Sequence, residues 1–175
     1  MEHLGIPKAD FIEDVDEYMK GQDAETMLKM IDERILKYKS MQSNLSARRT
    51  NFKSKLPELE KTLEMIDILI SKQREDEDEC EPIETRFLLA DHVYATAAIK
   101  NVEKVGLWLG LNVMLEYPIT EAQALVAGNI TEVTKALEEV ENDLDFLKDQ
   151  ITTSEVSMAR VYNWDVERRK AAKLL

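Results

Sequence analysis

Cysteine is nearly absent from this chain. Cys80 is its single thiol, which excludes a disulfide scaffold and any cysteine-rich metal site within one chain. One unpaired cysteine also fits a reducing compartment. Glycine and proline are scarce, at 5 and 4 residues, and aromatics make up only 6% while charged residues reach 33%. That mixture suits long charged helices better than a compact globule. No stretch approaches the roughly 18 consecutive apolar residues of a membrane-spanning helix. The opening MEHLGIPKAD is polar and has no apolar core segment, so no secretory leader is expected. The formal charge of -12 argues against nucleic acid or an anionic membrane as partner. The sequons Asn44-Leu45-Ser46 and Asn129-Ile130-Thr131 fall inside predicted helices and read as chance matches.

Signs of catalysis are missing as well. There is no glycine-rich phosphate loop, no Gly-x-Ser-x-Gly elbow and no His-Glu-x-x-His pair. The two histidines are His3, near the start, and His92, in a predicted turn where an imidazole is ordinarily solvated. Cys80 stands among carboxylates, whose repulsion raises a thiol pKa and argues against a nucleophile. Neither an enzyme nor a cofactor is expected.

What is present is organised around Phe87–Pro118. Val105, Leu107, Leu109 and Leu111 alternate with Gly106, Trp108 and Gly110, and Val113, Leu115 and Tyr117 continue the period of two. Upstream, Phe87, Leu88 and Leu89 begin another extended run, Ala90-Asp91-His92 reads as a turn, and Val93 to Ile99, with Tyr94, as a return strand. Four short strands in two hairpins are predicted. Their edges are apolar and unpaired in a lone chain, and such edges invite pairing with another subunit. Phe87, Leu89, Val93, Tyr94, Val105, Leu107, Trp108, Leu109, Val113, Leu115 and Tyr117 are therefore the candidate assembly residues.

Long helices flank this centre. Asp10 followed by Glu13 resembles a helix start, with Phe11, Val15, Tyr18 and Met19 as an apolar stripe up to Gly21. From Asp23 a heptad frame places Leu28, Ile35, Gln42, Arg49, Leu56, Leu63 and Ile70 at a, and Ala24, Ile31, Tyr38, Leu45, Phe52, Leu59 and Ile66 at d. Only Gln42 and Arg49 break this coiled-coil seam. A helix of about 50 residues would span about 75 Å. Pro57 lies off the seam and predicts a kinked helix rather than two helices. The run Glu75-Asp76-Glu77-Asp78-Glu79-Cys80-Glu81-Pro82 reads as a solvated connector, because a calcium loop needs spaced ligands and a glycine turn that it lacks.

Beyond the strands, Thr120 and Gln123 form a capping-box pattern. A second seam then runs through Val126, Ile130, Val133, Leu137, Val140, Leu144, Leu147, Ile151, Ser154, Met158 and Val161, with Ser154 its only polar member. The expected fold class is α+β, mainly α: a long antiparallel coiled coil with two β-hairpins between its helices. The expected segments, within one unit spanning 1–175, are helix with a short lead-in at 10–74, connector at 75–86, hairpins at 87–119 and helix at 120–168. If Ile70 lies beside Gln123, facing residue numbers sum to roughly 193, which puts Ile35 against Met158 and Leu56 against Leu137.

That register gathers Phe11, Ile12, Tyr18, Met19, Met27 and Met30 with Met158, Val161, Tyr162 and Trp164 at the end furthest from the strands. Methionine adapts its shape and recurs where many partners bind. Several of these residues also satisfy the seam and could be plain core, whereas Tyr162 and Trp164 fall outside a and d. The group is the candidate binding tip. The basic run Arg168-Arg169-Lys170 suits either an acidic partner or a helix C-terminus.

Five blocks carry a resemblance to a known family. They are Leu4-Gly5-Ile6-Pro7, Phe11-Ile12-Glu13-Asp14-Val15, ETRFLLAD at Glu84–Asp91, LWLGLNVMLEYPI at Leu107–Ile119 and DFLKDQITTSEVSMARVYNWDV at Asp145–Val166. Together they resemble an α-type prefoldin subunit over nearly the whole chain, the acidic connector and extreme termini aside. The resemblance implies one of six subunits in a cytosolic hexamer, two α-type and four β-type, whose strands join into a double β-barrel platform. It further implies that coiled-coil tips hold unfolded actin and tubulin and pass them to the cytosolic chaperonin without ATP. The expected location is cytoplasmic, with no nucleic-acid or membrane partner and no cofactor or metal. The competing expectation is a structural coiled-coil adaptor that binds one folded partner.

Overall fold

Two helices of unequal composition and four short strands account for most of the chain. The computed structural model describes residues 7–73, 82–99, 102–110 and 112–173. Their order is α1 (Val15–Tyr18), α2 (Ala24–Gln73), β1 (Ile83–Ala90), β2 (Val93–Ile99), β3 (Lys104–Gly110), β4 (Val113–Pro118) and α3 (Ile119–Lys173). The acidic run with Cys80, as well as His3, Leu4-Gly5-Ile6 and Leu111, lies outside the described residues. The chain divides into two compact units, Met1–Phe52 with Ala136–Leu175, and Lys53–Lys135.

In the first unit, α2 is started by Asp23. Its carboxylate accepts from the Thr26 backbone N–H and hydroxyl, both at 3.1 Å, and these bonds hold the carboxyl below its usual range. The expected helix from Asp10 is replaced by a single turn, Val15–Tyr18, capped by Asp14. The reason is where the preceding backbone groups go: Ala9 and Ile12 donate their N–H groups to Gln150 and Ser157 of α3 rather than along a helix of their own. Gly21, at φ 79°, then turns the chain from α1 toward α2, in the left-handed region that glycine enters freely. Two clusters form the core. One holds Ile12, Met19, Ala24, Met27, Ile31, Ile35 and Val161, with Leu28, Met158 and Trp164 packed against it. The other holds Ala9, Tyr38, Leu147 and Ile151.

The pairing is antiparallel, as the seams require. Lys39 meets Glu155 at 2.8 Å, a number sum of 39 + 155 = 194. Ile35 and Met158 share one cluster, as the predicted register has it. Gln42 and Arg49, the two seam breaks, line a polar groove of about 620 Å³ with Lys39, Ser46, Leu144 and Lys148. The groove lies where the seam lacks apolar side chains.

In the second unit, α2 continues unbroken through Pro57. Ile66, Ile119, Ala122 and Val126 form the core, with Leu63, Ile70 and Ile130 around it. Gln123 donates its amide to Asp67 at 2.6 Å, for a sum of 67 + 123 = 190. The strands form two separate antiparallel pairs, β1 with β2 and β3 with β4. β1 begins at Ile83, four residues before the expected Phe87, because Ile83, Glu84, Thr85 and Arg86 find partners in Ile99, Ala98, Ala97 and Thr96. The part of the expected connector from Ile83 to Arg86 is therefore strand. Both hairpins close tightly around one non-glycine residue with positive φ, His92 at 66° and Asn112 at 64°. Both also shift register just before the turn, between Leu88 and Ala90 and between Trp108 and Gly110.

Candidate functional site

Two surfaces, one in each unit, carry apolar groups that the chain itself leaves uncovered. On the hairpins, side chains alternate across the ladder, so one face of β3–β4 can turn inward. Val105 opposite Tyr117 and Leu107 opposite Leu115 define that face, and Val105, Leu107 and Tyr117 pack on the helix core. Trp108 opposite Met114 lies on the other face and is 64% exposed. Met114 Sδ stands 3.1 Å from where a Cβ on Gly106 would be, so glycine leaves room for the methionine there. The first hairpin is barer still. Phe87, Leu88, Leu89, Val93 and Tyr94 are all exposed, with Leu89 at 64%. Among the described residues each strand has one partner, leaving one edge of each with unsatisfied ladder groups.

Of the candidate assembly residues, Phe87, Leu89, Val93, Tyr94, Trp108, Leu109, Val113 and Leu115 are thus exposed, and Val105, Leu107 and Tyr117 half-buried. A groove of about 740 Å³ runs beside β3, lined by Leu59, Leu107, Trp108, Leu109, Leu125 and Val126. The outer face of α2 in this unit adds Met65 and Ile68, exposed and three residues apart. Heptad reasoning passed over these two, since they lie off the seam. Their signal was apolar character at a position that the frame reserves for polar side chains.

The second surface is the paired end of α2 and α3. Four of the ten candidate tip residues, Ile12, Met19, Met27 and Val161, are core, and Val161 is 0% exposed. They fill space between α2, α3 and the N-terminal segment, so their side chains do not face outward. Trp164 is half-buried and held on two sides: its indole N–H donates to Asp16 at 2.6 Å, and Arg168 lies over its ring at 5.3 Å. Phe11, Tyr18, Met30 and Tyr162 stand exposed, Tyr162 at 58%. Tyr162 also lines, with Leu28, Met158 and Ala159, a shallow groove of about 500 Å³ whose charged rim includes Lys29 and Asp32. Glu25 pairs with Lys29 at 2.8 Å on that rim, and the pairing raises the lysine pKa.

Sequence reasoning also missed the role of the polar residues on α3 in this unit. Gln150, Ser154 and Ser157 are buried, and among the described residues no buried side-chain polar atom lacks a hydrogen-bond partner. Ser154, the lone polar seam member, donates to the Gln150 carbonyl at 2.8 Å. Gln150 and Ser157 hold the backbone of the N-terminal segment. Tyr38 is almost wholly buried, and its hydroxyl donates to the Pro7 carbonyl at 2.6 Å. Burial, with Asp10 nearby, pushes the Tyr38 phenol above its ordinary pKa, so it stays a donor.

Chemically, these surfaces offer apolar contact and backbone pairing. Among the described residues no group of histidine, cysteine or carboxylate side chains could hold a metal ion, and no helix is long and apolar enough to cross a membrane. Comparison with known proteins bears on what such surfaces serve. Residues 38–164 match the family model described as prefoldin subunit. The chain is 51% identical to prefoldin subunit 3 of Mus musculus over 95% of its own length and 85% of the relative's. It is 53% identical to prefoldin subunit 3 of Bos taurus, over 95% and 84% respectively. Among solved structures it is similar to a chain of filamentous PFD from Methanocaldococcus jannaschii, determined by cryo-electron microscopy. That match has a TM-score of 0.53 at 16% identity and covers 69% of this chain and 94% of that one, a likeness of fold.

Proposed function

The chain belongs to the prefoldin family, and on that premise we propose that it is the subunit-3 member of a cytoplasmic heterohexamer of two α-type and four β-type subunits. Prefoldin subunits are non-enzymatic chaperone components. In this reading the hairpins join those of sister subunits, and the helix end takes hold of non-native chains such as actin and tubulin for transfer to the cytosolic chaperonin. No fuel is needed. Weak apolar contacts from several subunits hold an unfolded chain through effective concentration, and a competitor for the same surfaces releases it.

The observation that carries the reading is the exposed Tyr162 beside a groove lined by Leu28, Met158 and Ala159, with Phe11, Tyr18 and Met30 exposed elsewhere in the same unit. An apolar groove left uncovered, with an exposed aromatic at its side, is a form that interaction sites take. The test is suppression of aggregation of denatured actin by a complex reconstituted from all six subunits. A Phe11→Ser, Tyr162→Ser double variant assembles normally but needs a several-fold higher concentration for the same suppression. Unchanged suppression would sink the assignment of this surface.

A further inference from the structure

The stretch Pro7–Asp14 lies along α3 as a bound peptide would. Every hydrogen bond described between its backbone and α2 or α3 involves a side chain of those helices. Ala9 N–H donates to Gln150 Oε1 at 2.8 Å, and Ile12 N–H to Ser157 Oγ at 3.5 Å. In return Tyr38, Ser157 and Arg160 donate to the carbonyls of Pro7, Asp10 and Ile12, at 2.6, 3.4 and 3.0 Å. The spacing shows the strap to be extended. Its three steps from Ala9 to Ile12 match seven residues of α3, Gln150 to Ser157: about 10 Å at 3.4 Å per extended residue, and about 10.5 Å at 1.5 Å per helical one. A further seven residues bring Trp164 to Asp16.

Only two strap side chains between Pro7 and Asp14 are buried, Ala9 and Ile12, one in each core cluster. The seat thus reads main chain at several points and side chains at two. Such recognition tolerates sequence, as main-chain pairing does wherever peptides dock in extended form. Small buried hydroxyls at Ser154, on the seam of α3, and at Ser157, beside it, keep the floor low.

We propose that this seat is a binding groove for extended, apolar segments of non-native polypeptide, and that Pro7–Asp14 occupies it as an internal stand-in. The inference rests on the chaperone reading above and adds a second place of capture in the same unit, gated by the strap. The occupant's chemistry follows from the strap: extended backbone with a small and a branched apolar side chain three residues apart. Strap and client exclude each other, so apparent affinity is set by the fraction of chains whose strap is out. Lifting the strap removes two anchors while the α2–α3 seam residues Ile35, Tyr38, Leu147 and Val161 remain packed.

The test alters the strap and leaves the seat intact. Hexamers containing Ala9→Asp, Ile12→Asp are titrated with a fluorescein-labelled peptide of residues 7–16, PKADFIEDVD, followed by anisotropy. This variant binds the peptide about tenfold more tightly than the unmodified hexamer, whose own strap competes. Ile12→Ala, which removes one anchor and no main-chain contact, gives an intermediate gain. Adding Ser157→Tyr to either variant fills the seat and abolishes the gain. Denatured actin is captured in the same order. If neither strap variant binds the peptide more tightly while the unmodified hexamer still captures actin, the groove is overturned and the chaperone reading stands. If no hexamer captures actin, that reading fails.

Discussion

The helix-end unit and the hairpin unit solve opposite problems with similar residues. In the first, Tyr38, Leu147 and Val161 are sealed from solvent, and the polar groups of the N-terminal strap meet Gln150, Ser157 and Arg160. What it leaves exposed is a scatter of single side chains such as Phe11 and Tyr162. In the second, whole strand faces are bare: Phe87, Leu88, Leu89, Val93 and Tyr94 on one hairpin, Trp108, Leu109, Val113 and Met114 on the other. A two-stranded ribbon is marginal by itself in water. The contrast teaches that the two exposed surfaces differ in kind. One is closed within the chain, whereas the other, among the described residues, leaves strand faces bare and edges unpaired.

The sharpest way to break this contrast is to charge the hairpin. Trp108→Asp leaves the helix content of the chain unchanged and, on the proposed assembly, abolishes its incorporation with sister subunits, an effect of about 3 kcal/mol or more for an aromatic anchor at the centre of an interface. Native mass spectrometry reads it directly, and a variant that still assembles would make the hairpin face a bystander. Leu147→Ala probes the sealed core instead. It lowers the stability of the helix-end unit by about 2–5 kcal/mol, as cavities at fully buried leucines do, without changing subunit stoichiometry. Thermal denaturation of the assembled complex measures the loss.

A smaller effect sharpens the picture of the strap. Gln150→Ala leaves the Ala9 N–H buried without its acceptor, a cost of about 1–3 kcal/mol that appears as faster hydrogen exchange in residues 9–16 alone. The smallest effect is alkaline. The folded-state pKa of Tyr38 is raised by burial, so its contribution to stability is fully present below the unfolded value of about 10 and fades as pH climbs through the higher folded one. Tyr38→Phe removes that fading, which pH-dependent melting of the two proteins would register.

Much of this was legible in residue order. Period-two alternation located both hairpins, and heptads located both helices and their mutual register, because one buried face leaves a strong imprint on spacing. The lead-in was misread for a physical reason. Asp10, Glu13 and the apolar residues after them satisfy local rules for a helix start, but Gln150 and Ser157, far along the chain, take the backbone N–H groups that a helix would have used. Local pattern cannot see a partner so distant. The same blindness made Ser154 look like a flaw and made Ile12, Met19, Met27 and Val161 look like contact residues. One further signal in the sequence supports the antiparallel register. From Arg34 to Pro57, α2 carries Lys37, Lys39, Arg48, Arg49, Lys53 and Lys55 besides Arg34 and no carboxylate. The stretch of α3 from Ala136 to Ala159 has Glu138, Glu139, Glu141, Asp143, Asp145, Asp149 and Glu155 against Lys148. Lys39 with Glu155 is one meeting of the two.

The positions Gln150, Ser157 and Trp164 act like the marks of a vernier, since they recur every seventh residue of a helix while the segment they grip advances three or four. One inserted or deleted residue between them turns the later marks by about 100° and carries them off the scale. The outer face of this length of α3 can therefore be rewritten without disturbing the grip, whereas its residue count cannot.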